Sequence, residues 1–484
     1  MLRPWQTQFW LEESSGQSFH AKLSNQLMKD IQTGRLTSGM MMPGSRALAK
    51  QLGVNRKTVQ LVYEELESQG WLISKPRSGT FVADVLPEQA LSAENQQLVH
   101  TVKAPRSSSA LLDNLYQSAL VAEDRPGPND GIPDARLIPY ELLSRAYRRA
   151  LVQSSRGACM GYGDPRGSIE LRRSIQNMLT MDRFMNVSTE QVCIVRGSQM
   201  GIYLASRILN PDKGVIVLEK FCYPPAMAAF ESNGFTVVRC ELDHQGIDTD
   251  ALQSILEKHQ VAAIYTTPHH QYPTTVSMTM ERRLKLLQLS KLHRFAIIED
   301  DYDHEFHYEG RPIPPLSSLP DSENVIHIGS MSKVFAPGLR LGYLVADEGF
   351  VDRVAQEIIL IDRQGNTMTE LAVADLMASG DVKKHIRKTR KLYQSRRDFA
   401  ASEFKRVFGD SISFILPAGG MALWVNVTAL VDVNSLDAFQ HPDSSLGTVF
   451  SCEQTELTHI RFGFGALNEQ EISLSVEKLF AALH

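Results

Sequence analysis

Phe19, Leu23, Leu27 and Ile31 recur at every fourth position, so one face of this stretch is apolar and the spacing predicts an amphipathic helix that Ser18 can cap. Thr33-Gly34 ends it. Pro43-Gly44-Ser45 opens a short helix with Ala47, Leu48 and Leu52 on its apolar face. Gly53 breaks that helix, and Asn55 can cap a third one that turns Val59, Val62, Tyr63 and Leu66 inward. Trp71-Leu72-Ile73 and Thr80-Phe81-Val82 read as two short strands around a turn from Ser74 to Gly79. Helix, helix, turn, helix and hairpin is the order of a winged helix-turn-helix.

The pattern then changes twice. Residues Asp84 to Ser109 contain Pro87, Pro105, Ser107-Ser108-Ser109 and a Glu/Gln-rich run with little periodicity, the composition of an extended tether. From Ala119 onward, apolar runs alternate with helical stretches. Examples are Val192–Val195, Val215–Leu218, Val261–Tyr265 and Phe295–Ile298, apolar throughout, as strands covered on both faces are. The expected organisation is an α+β winged helix-turn-helix over residues 1–84, a linker over 85–118 and an α/β unit over 119–484.

With 484 residues the chain is too long for a single core, which agrees with this division. The net charge of −5 means that any nucleic-acid binding must come from a local patch. Such a patch exists. Between Arg35 and Thr80 seven basic residues face three acidic ones, and Arg56, Lys57 and Thr58 fall at the start of the third helix, the end that meets base edges and phosphates. Arg77, at the hairpin tip, can reach the minor groove or the backbone. The five cysteines are scattered without a CxxC pair, which argues against a zinc ribbon and fits a reducing cytoplasm; no metal ligands are assigned. No signal peptide and no membrane-length apolar stretch is evident.

Candidate chemistry gathers around Lys333. Val325-Ile326-His327-Ile328 reads as a buried strand running up to a Gly329-Ser330 break, with Lys333 just beyond it and Arg340 following. A lysine there can form an imine with an aldehyde, and Ser330, Ser332 and Arg340 suit a phosphate beside it. Together they suggest pyridoxal 5'-phosphate with Lys333 as its Schiff-base residue. Gly197-Ser198-Gln199 follows another strand and opens a helix whose N–H groups can cradle phosphate. Glu299-Asp300-Asp301-Tyr302 follows a third strand, where a carboxylate could keep a pyridine nitrogen protonated. Tyr223 could lay its ring on the cofactor face.

Two resemblances sharpen this reading. Leu36-x-x-Gly39-x-x-x-Pro43-x-Ser45-Arg46-x-Leu48-Ala49, Leu52-Gly53-Val54-x-Arg56-x-Thr58-Val59 and Ser78-Gly79-Thr80-Phe81-Val82 resemble the GntR-type winged helix. That implies DNA contacts from Ser45 and Arg46, from Asn55, Arg56, Lys57 and Thr58, and from Arg77, Gly79 and Thr80. Tyr162-Gly163-Asp164-Pro165-x-Gly167, Gly197-Ser198-Gln199, Asp300-x-Tyr302 and Ser330-x-Ser332-Lys333 with Arg340 resemble, in order, fold-type I pyridoxal phosphate enzymes of the class I aminotransferase group. The resemblance implies that Lys333 carries the cofactor, Asp300 pairs with its ring nitrogen, Tyr302 approaches its phenolic oxygen and Tyr223 stacks on the ring. Gly197, Ser198, Gln199, Ser330, Ser332 and Arg340 would surround the phosphate, Tyr162 would reach in from a partner subunit, and Arg461 would hold an effector carboxylate.

The two parts joined resemble the MocR/GabR group of bacterial transcriptional regulators, to which Thr267-Pro268-His269-His270-Gln271-Tyr272-Pro273-Thr274 also points. Catalytic aminotransferases carry Asn where this chain has Tyr272 and Gly where it has Thr275, which argues against efficient transamination. Pro224-Pro225 after Tyr223 differs from the GABA-responsive members, which carry an effector-binding arginine nearby. The expectation is a cytoplasmic, homodimeric regulator that binds operator DNA and senses an amine or amino acid by exchanging an internal for an external aldimine, with no catalytic residue assigned. Its rivals are a working aminotransferase with a DNA-binding head and a sensor of pyridoxal phosphate itself.

Overall fold

A computed structural model describes residues 18–76, 78–86, 131–157, 161–430, 445–446 and 459–483. Arg77 and the linker signals from Pro87 to Ser109 lie outside them. The chain divides into two compact units, residues 1–107 and 108–484.

In the first unit, α1 (Phe19–Gln32), α2 (Ser45–Leu52) and α3 (Arg56–Ser68) precede a hairpin of β1 (Leu72–Lys75) and β2 (Gly79–Val82). The caps act as the sequence predicts: Ser18 accepts from the Ala21 N–H at 3.3 Å and Asn55 from the Lys57 N–H at 2.8 Å. Leu23, Leu27, Leu48, Val59, Val62 and Leu66 are fully buried in one core, each stabilising by roughly 1.5–3 kcal/mol. Three details differ from expectation. Ala47 is exposed and Ala49 takes its place in the core, because Leu48, Ala49 and Leu52 lie along one face. The first strand begins at Leu72 and runs to Lys75, so the turn is shorter than Ser74 to Gly79. Residues around Met41 also pair with β2, through Met42 N–H to Thr80 O and Val82 N–H to Met40 O. Three consecutive methionines carry no alternation that would announce a strand.

The second unit is built on a seven-stranded sheet with the order β3-β11-β10-β9-β8-β4-β5. Its strands are β3 (Val192–Val195), β4 (Val215–Glu219), β5 (Val237–Cys240), β8 (Val261–Thr266), β9 (Ala296–Asp301), β10 (Val325–Ser330) and β11 (Gly342–Val345), with β6 (Leu242–Asp243) and β7 (Gly246–Ile247) forming a side hairpin. All pairings are parallel except those of β11, which runs against both neighbours. The carboxyl ends of the other six strands therefore share one edge, and β11 starts there. Helices cover both faces, among them α4 (Tyr140–Gly157), α5 (Ile169–Arg183) and α6 (Ser198–Ile208). A smaller layer follows, with β12 (Ala422–Asn426), β13 (Ser445–Leu446) and β14 (His459–Gly463) in the order β12-β14-β13 beside the helices Asp381–Phe408 and Glu469–Leu483.

Four strands extend further than expected, β4 and β8 by one residue each, to Glu219 and Thr266. β10 continues through Gly329 and Ser330, where a break was anticipated. A Cβ at Gly329 would fall 2.1 Å from the Tyr343 ring, so the glycine admits a neighbour rather than ending the strand. β9 carries Glu299, Asp300 and Asp301 as its last residues instead of releasing them to a loop. Tertiary partners make this possible. Glu299 meets His327 at 2.9 Å, and Asp301 meets Arg183 at 2.7 Å.

Candidate functional site: a lysine-aspartate cavity at the sheet edge

The shared strand edge is the crevice where α/β proteins place ligands. A cavity of about 200 Å³ opens there, lined by Ile132, Ser198, Tyr223, Tyr265, Thr267, Tyr272, Asp300, Tyr302 and Lys333. Lys333, three residues beyond the end of β10, donates from Nζ to the Gly131 carbonyl at 2.9 Å. Asp300, near the end of β9, accepts from the Tyr265 hydroxyl at 2.8 Å. Its other oxygen, Oδ1, is buried with no hydrogen-bond partner among the described residues. Burial, reinforced by the Asp301 and Asp303 charges, pushes the Asp300 carboxyl up to about 7 against the hydrogen bond from Tyr265. Beside it, Asp301 stays well below the usual range: burial opposes ionisation, but the Arg183 guanidinium and His304 outweigh it.

Five of the predicted residues thus line one space: Lys333, Asp300, Tyr302, Tyr223 and Ser198. The Tyr302 hydroxyl donates to the His270 carbonyl at 2.9 Å. Gly197 caps α6 at φ 80 without a side-chain hydrogen bond, and a Cβ there would lie 3.1 Å from Arg340 Nη2. The Arg340 guanidinium donates to the Arg196 carbonyl at 3.0 Å. A bare helix N-terminus with a guanidinium laid against its cap is a fitting setting for a phosphate. Ser330 Oγ accepts from the Ser332 N–H at 3.1 Å, and Gln199 donates to the Pro225 carbonyl at 2.9 Å.

Arg461 is 2% exposed on β14, donates to the Pro273 carbonyl at 2.7 Å and covers the Tyr272 ring at 4.7 Å. Tyr162 is not brought into the cavity of its own chain. It is 82% exposed, with the Arg363 guanidinium over its ring at 5.1 Å. In the first unit Arg46, Asn55, Arg56, Lys57 and Gly79 are exposed and Ser45, Thr58 and Thr80 half-buried; Arg56 Nε donates to Ser45 Oγ at 3.3 Å.

Sequence reasoning assigned no site role to Tyr265 or Thr267 and missed the network behind them. Tyr265 follows an apolar run in β8, and a buried phenol needs a partner; that signal was available. Glu219, at the end of β4, accepts from Thr266 at 2.7 Å and Gln271 at 3.0 Å, and burial raises its carboxyl to about 7. No local pattern announces that network.

The residues fit pyridoxal phosphate. The unpartnered Oδ1 of the readily protonated Asp300 suits a pyridine nitrogen, Lys333 supplies the amine, and the α6 N-terminus with Arg340 suits the phosphate. Comparisons with known proteins agree. The family described as aminotransferase class I and II matches residues 138–456, and that of bacterial regulatory proteins of the gntR family matches residues 20–82. An uncharacterized HTH-type transcriptional regulator, YhdI of Bacillus subtilis, is 28% identical over 98% of this chain and 97% of its own length. The probable rhizopine catabolism regulatory protein MocR of Rhizobium meliloti is 28% identical over 87% of this chain and 84% of its own. The crystal structure of a multiple substrate aminotransferase from Thermococcus profundus superposes with a TM-score of 0.70 at 26% identity, over 79% of this chain and 96% of that one. The chain belongs to the aminotransferase class I and II family and, through its GntR-family head, is a pyridoxal phosphate-dependent transcriptional regulator of the MocR type.

Proposed function

We propose that the second unit senses a primary amine or amino acid and converts its binding into a change of DNA affinity. The observation that carries this reading is the cavity shared by Lys333 and Asp300, whose Oδ1 has no hydrogen-bond partner among the described residues. Pyridoxal phosphate supplies an aldehyde that condenses reversibly with amines and a ring that withdraws electrons. In this reading Lys333 holds the cofactor and yields it to the effector amine. Asp300 pairs with the ring nitrogen, Tyr223 stacks on the ring, and Tyr302 turns its hydroxyl toward the phenolic oxygen. Gly197, Ser198, Gln199, Ser330, Ser332 and Arg340 hold the phosphate, and Arg461 takes an effector carboxylate bidentately. Tyr162, exposed on its own chain, serves the partner subunit of a homodimer. Residues 1–84 read operator DNA through Ser45, Arg46, Asn55, Arg56, Lys57, Thr58, Arg77, Gly79 and Thr80; residues 85–118 tether the units and 119–484 bind the effector. With DNA as its partner, the protein works in the cytoplasm.

Turnover is expected to be poor, because Tyr272 replaces the asparagine that would hydrogen-bond the phenolic oxygen. The test combines two assays. Purified protein should show the visible band of a lysine-bound cofactor, lost in Lys333→Ala, and a suitable amine should shift both that band and operator affinity. Keto acid production sustained near one per second or faster would overturn sensing in favour of catalysis, and a Lys333→Ala protein that keeps the band would overturn the site.

A further inference from the structure

Away from the cavity, two histidines of the segment after β8, His269 and His270, meet two of the segment after β9, His304 and His307. The ring centroids are 4.7 Å apart for His269 and His270, 5.8 Å for His269 and His307, and 6.0 Å for His270 and His307. His269 is 4% exposed and His270 1%. Neither nitrogen of His269, nor Nε2 of His270, nor Nδ1 of His307 has a hydrogen-bond partner among the described residues. Burying that many imidazole nitrogens unpaired is unfavourable unless something ligates them.

His270 shows how it would be used. Its Nδ1 lies 2.8 Å from Asp303 Oδ1, a carboxylate 2% exposed. That contact places the proton on Nδ1 and leaves the Nε2 lone pair free, the arrangement by which carboxylates orient metal-binding histidines. Ligand atoms of His269, His270 and His307 all lie within 4.8 Å of one another. Nitrogens on one tetrahedral zinc ion, each at about 2.1 Å, lie about 3.4 Å apart, so ring rotations that bring the nitrogens closer by up to about 1.4 Å close the site. A second grouping, His269 with Asp301 and His304, falls within the same limit. Its carboxylate, however, is already held by the buried Arg183 cation at 2.7 Å, which would repel a dication. His307 also lines a cleft of about 790 Å³, which gives an ion and a water ligand a route from solvent.

We propose that His269, His270 and His307 bind a divalent transition-metal ion, and that Asp303 positions His270 for it. Three neutral imidazoles without a ligating carboxylate suit zinc and disfavour calcium or magnesium. The ion would join the segment carrying Tyr272 to the one carrying Tyr302, whose hydroxyl already reaches the His270 carbonyl at 2.9 Å. His307 is further bridged to Gly419, beside β12.

The test uses the untagged full-length chain, stripped by a chelator and dialysed against zinc or cobalt. We expect one zinc per chain and, with cobalt, visible bands of a nitrogen-ligated low-symmetry site. Asp303→Asn should weaken zinc binding about 10–100-fold. His307→Gln, at a half-buried position on the cleft wall, should abolish stoichiometric binding while leaving the circular dichroism unchanged. Substoichiometric zinc in the unaltered chain would overturn the proposal. So would equal affinity in both folded variants, since the ion would then sit elsewhere among the 14 histidines.

Discussion

Asp300→Asn separates what the cavity needs for its cofactor from what the fold tolerates. Asp300 is 4% exposed, and burial, with Asp301 and Asp303 nearby, lifts its carboxyl from 3.8 to about 7. At 1.36 kcal/mol per pH unit this makes ionisation of the cofactor-free folded state less favourable by about 4 kcal/mol. The folded pKa lies above the unfolded one, so the folded state binds the proton more tightly, and stability falls as pH rises from about 4 to about 7. Linkage puts the loss at roughly 1.6 kcal/mol at pH 5 and about 4 kcal/mol at pH 8.5. Asparagine keeps the shape and the acceptor for Tyr265 without the charge. Its amide leaves an unpaired N–H where Oδ1 stood, a term that does not vary with pH. The readout is therefore the change with pH. Relative to the unaltered protein, cofactor-free Asp300→Asn should gain about 2.5 kcal/mol between pH 5 and pH 8.5. For a unit spanning residues 108–484, at about 2.1 cal/mol/K per residue, that is about 3 °C in Tm. Thermal melts of stripped protein at several pH values measure it. With cofactor the order should reverse, since losing a charge-assisted hydrogen bond of about 1.5–3 kcal/mol weakens pyridoxal phosphate binding about 10- to 150-fold. Parallel Tm–pH curves, or an unchanged cofactor affinity, would refute the reasoning.

Three further outcomes follow from particular contacts. Arg56→Ala removes an exposed cation at the start of α3 and its bond to Ser45; operator binding measured against salt should lose about 1–3 kcal/mol if Arg56 reads a base, or about one unit of salt slope if it meets a phosphate, and an unchanged curve with an intact fold counts against the placement. Arg461→Ala should weaken carboxylate-bearing effectors by about 1.5–3 kcal/mol, moving both the amine-induced spectral shift and the change in operator binding to about 10- to 150-fold higher effector concentration; an undiminished response shows that the carboxylate lies elsewhere. Thr275 holds φ at 64, a conformation that strains β-branched residues by roughly 1–2 kcal/mol, so Thr275→Gly should raise stability by up to about 1 kcal/mol, and a lower Tm in calorimetry would refute that account.

What the sequence determined by itself is local. The fourfold spacing from Phe19 to Ile31, the caps at Ser18 and Asn55 and the apolar runs of β3, β4, β8, β9 and β10 are written in residues a few positions apart, because helix periodicity, capping and strand burial act over that range. Lys333 beyond β10 and Asp300 in β9 were legible for the same reason. Only the tertiary structure decided the rest. The insertion of antiparallel β11 beside β10 follows from the packing of Tyr343 on Gly329. Tyr265 reaches Asp300 because β8 and β9 are neighbours, and Arg183 neutralises Asp301 from 118 residues away. Arg461 is buried against Tyr272, and His269 and His270 meet His307, through segments that no short-range pattern connects. Buried charges are tolerated where their partners stand. Sheet order chooses those partners, and it emerges from the packing of the whole unit rather than from any stretch of sequence.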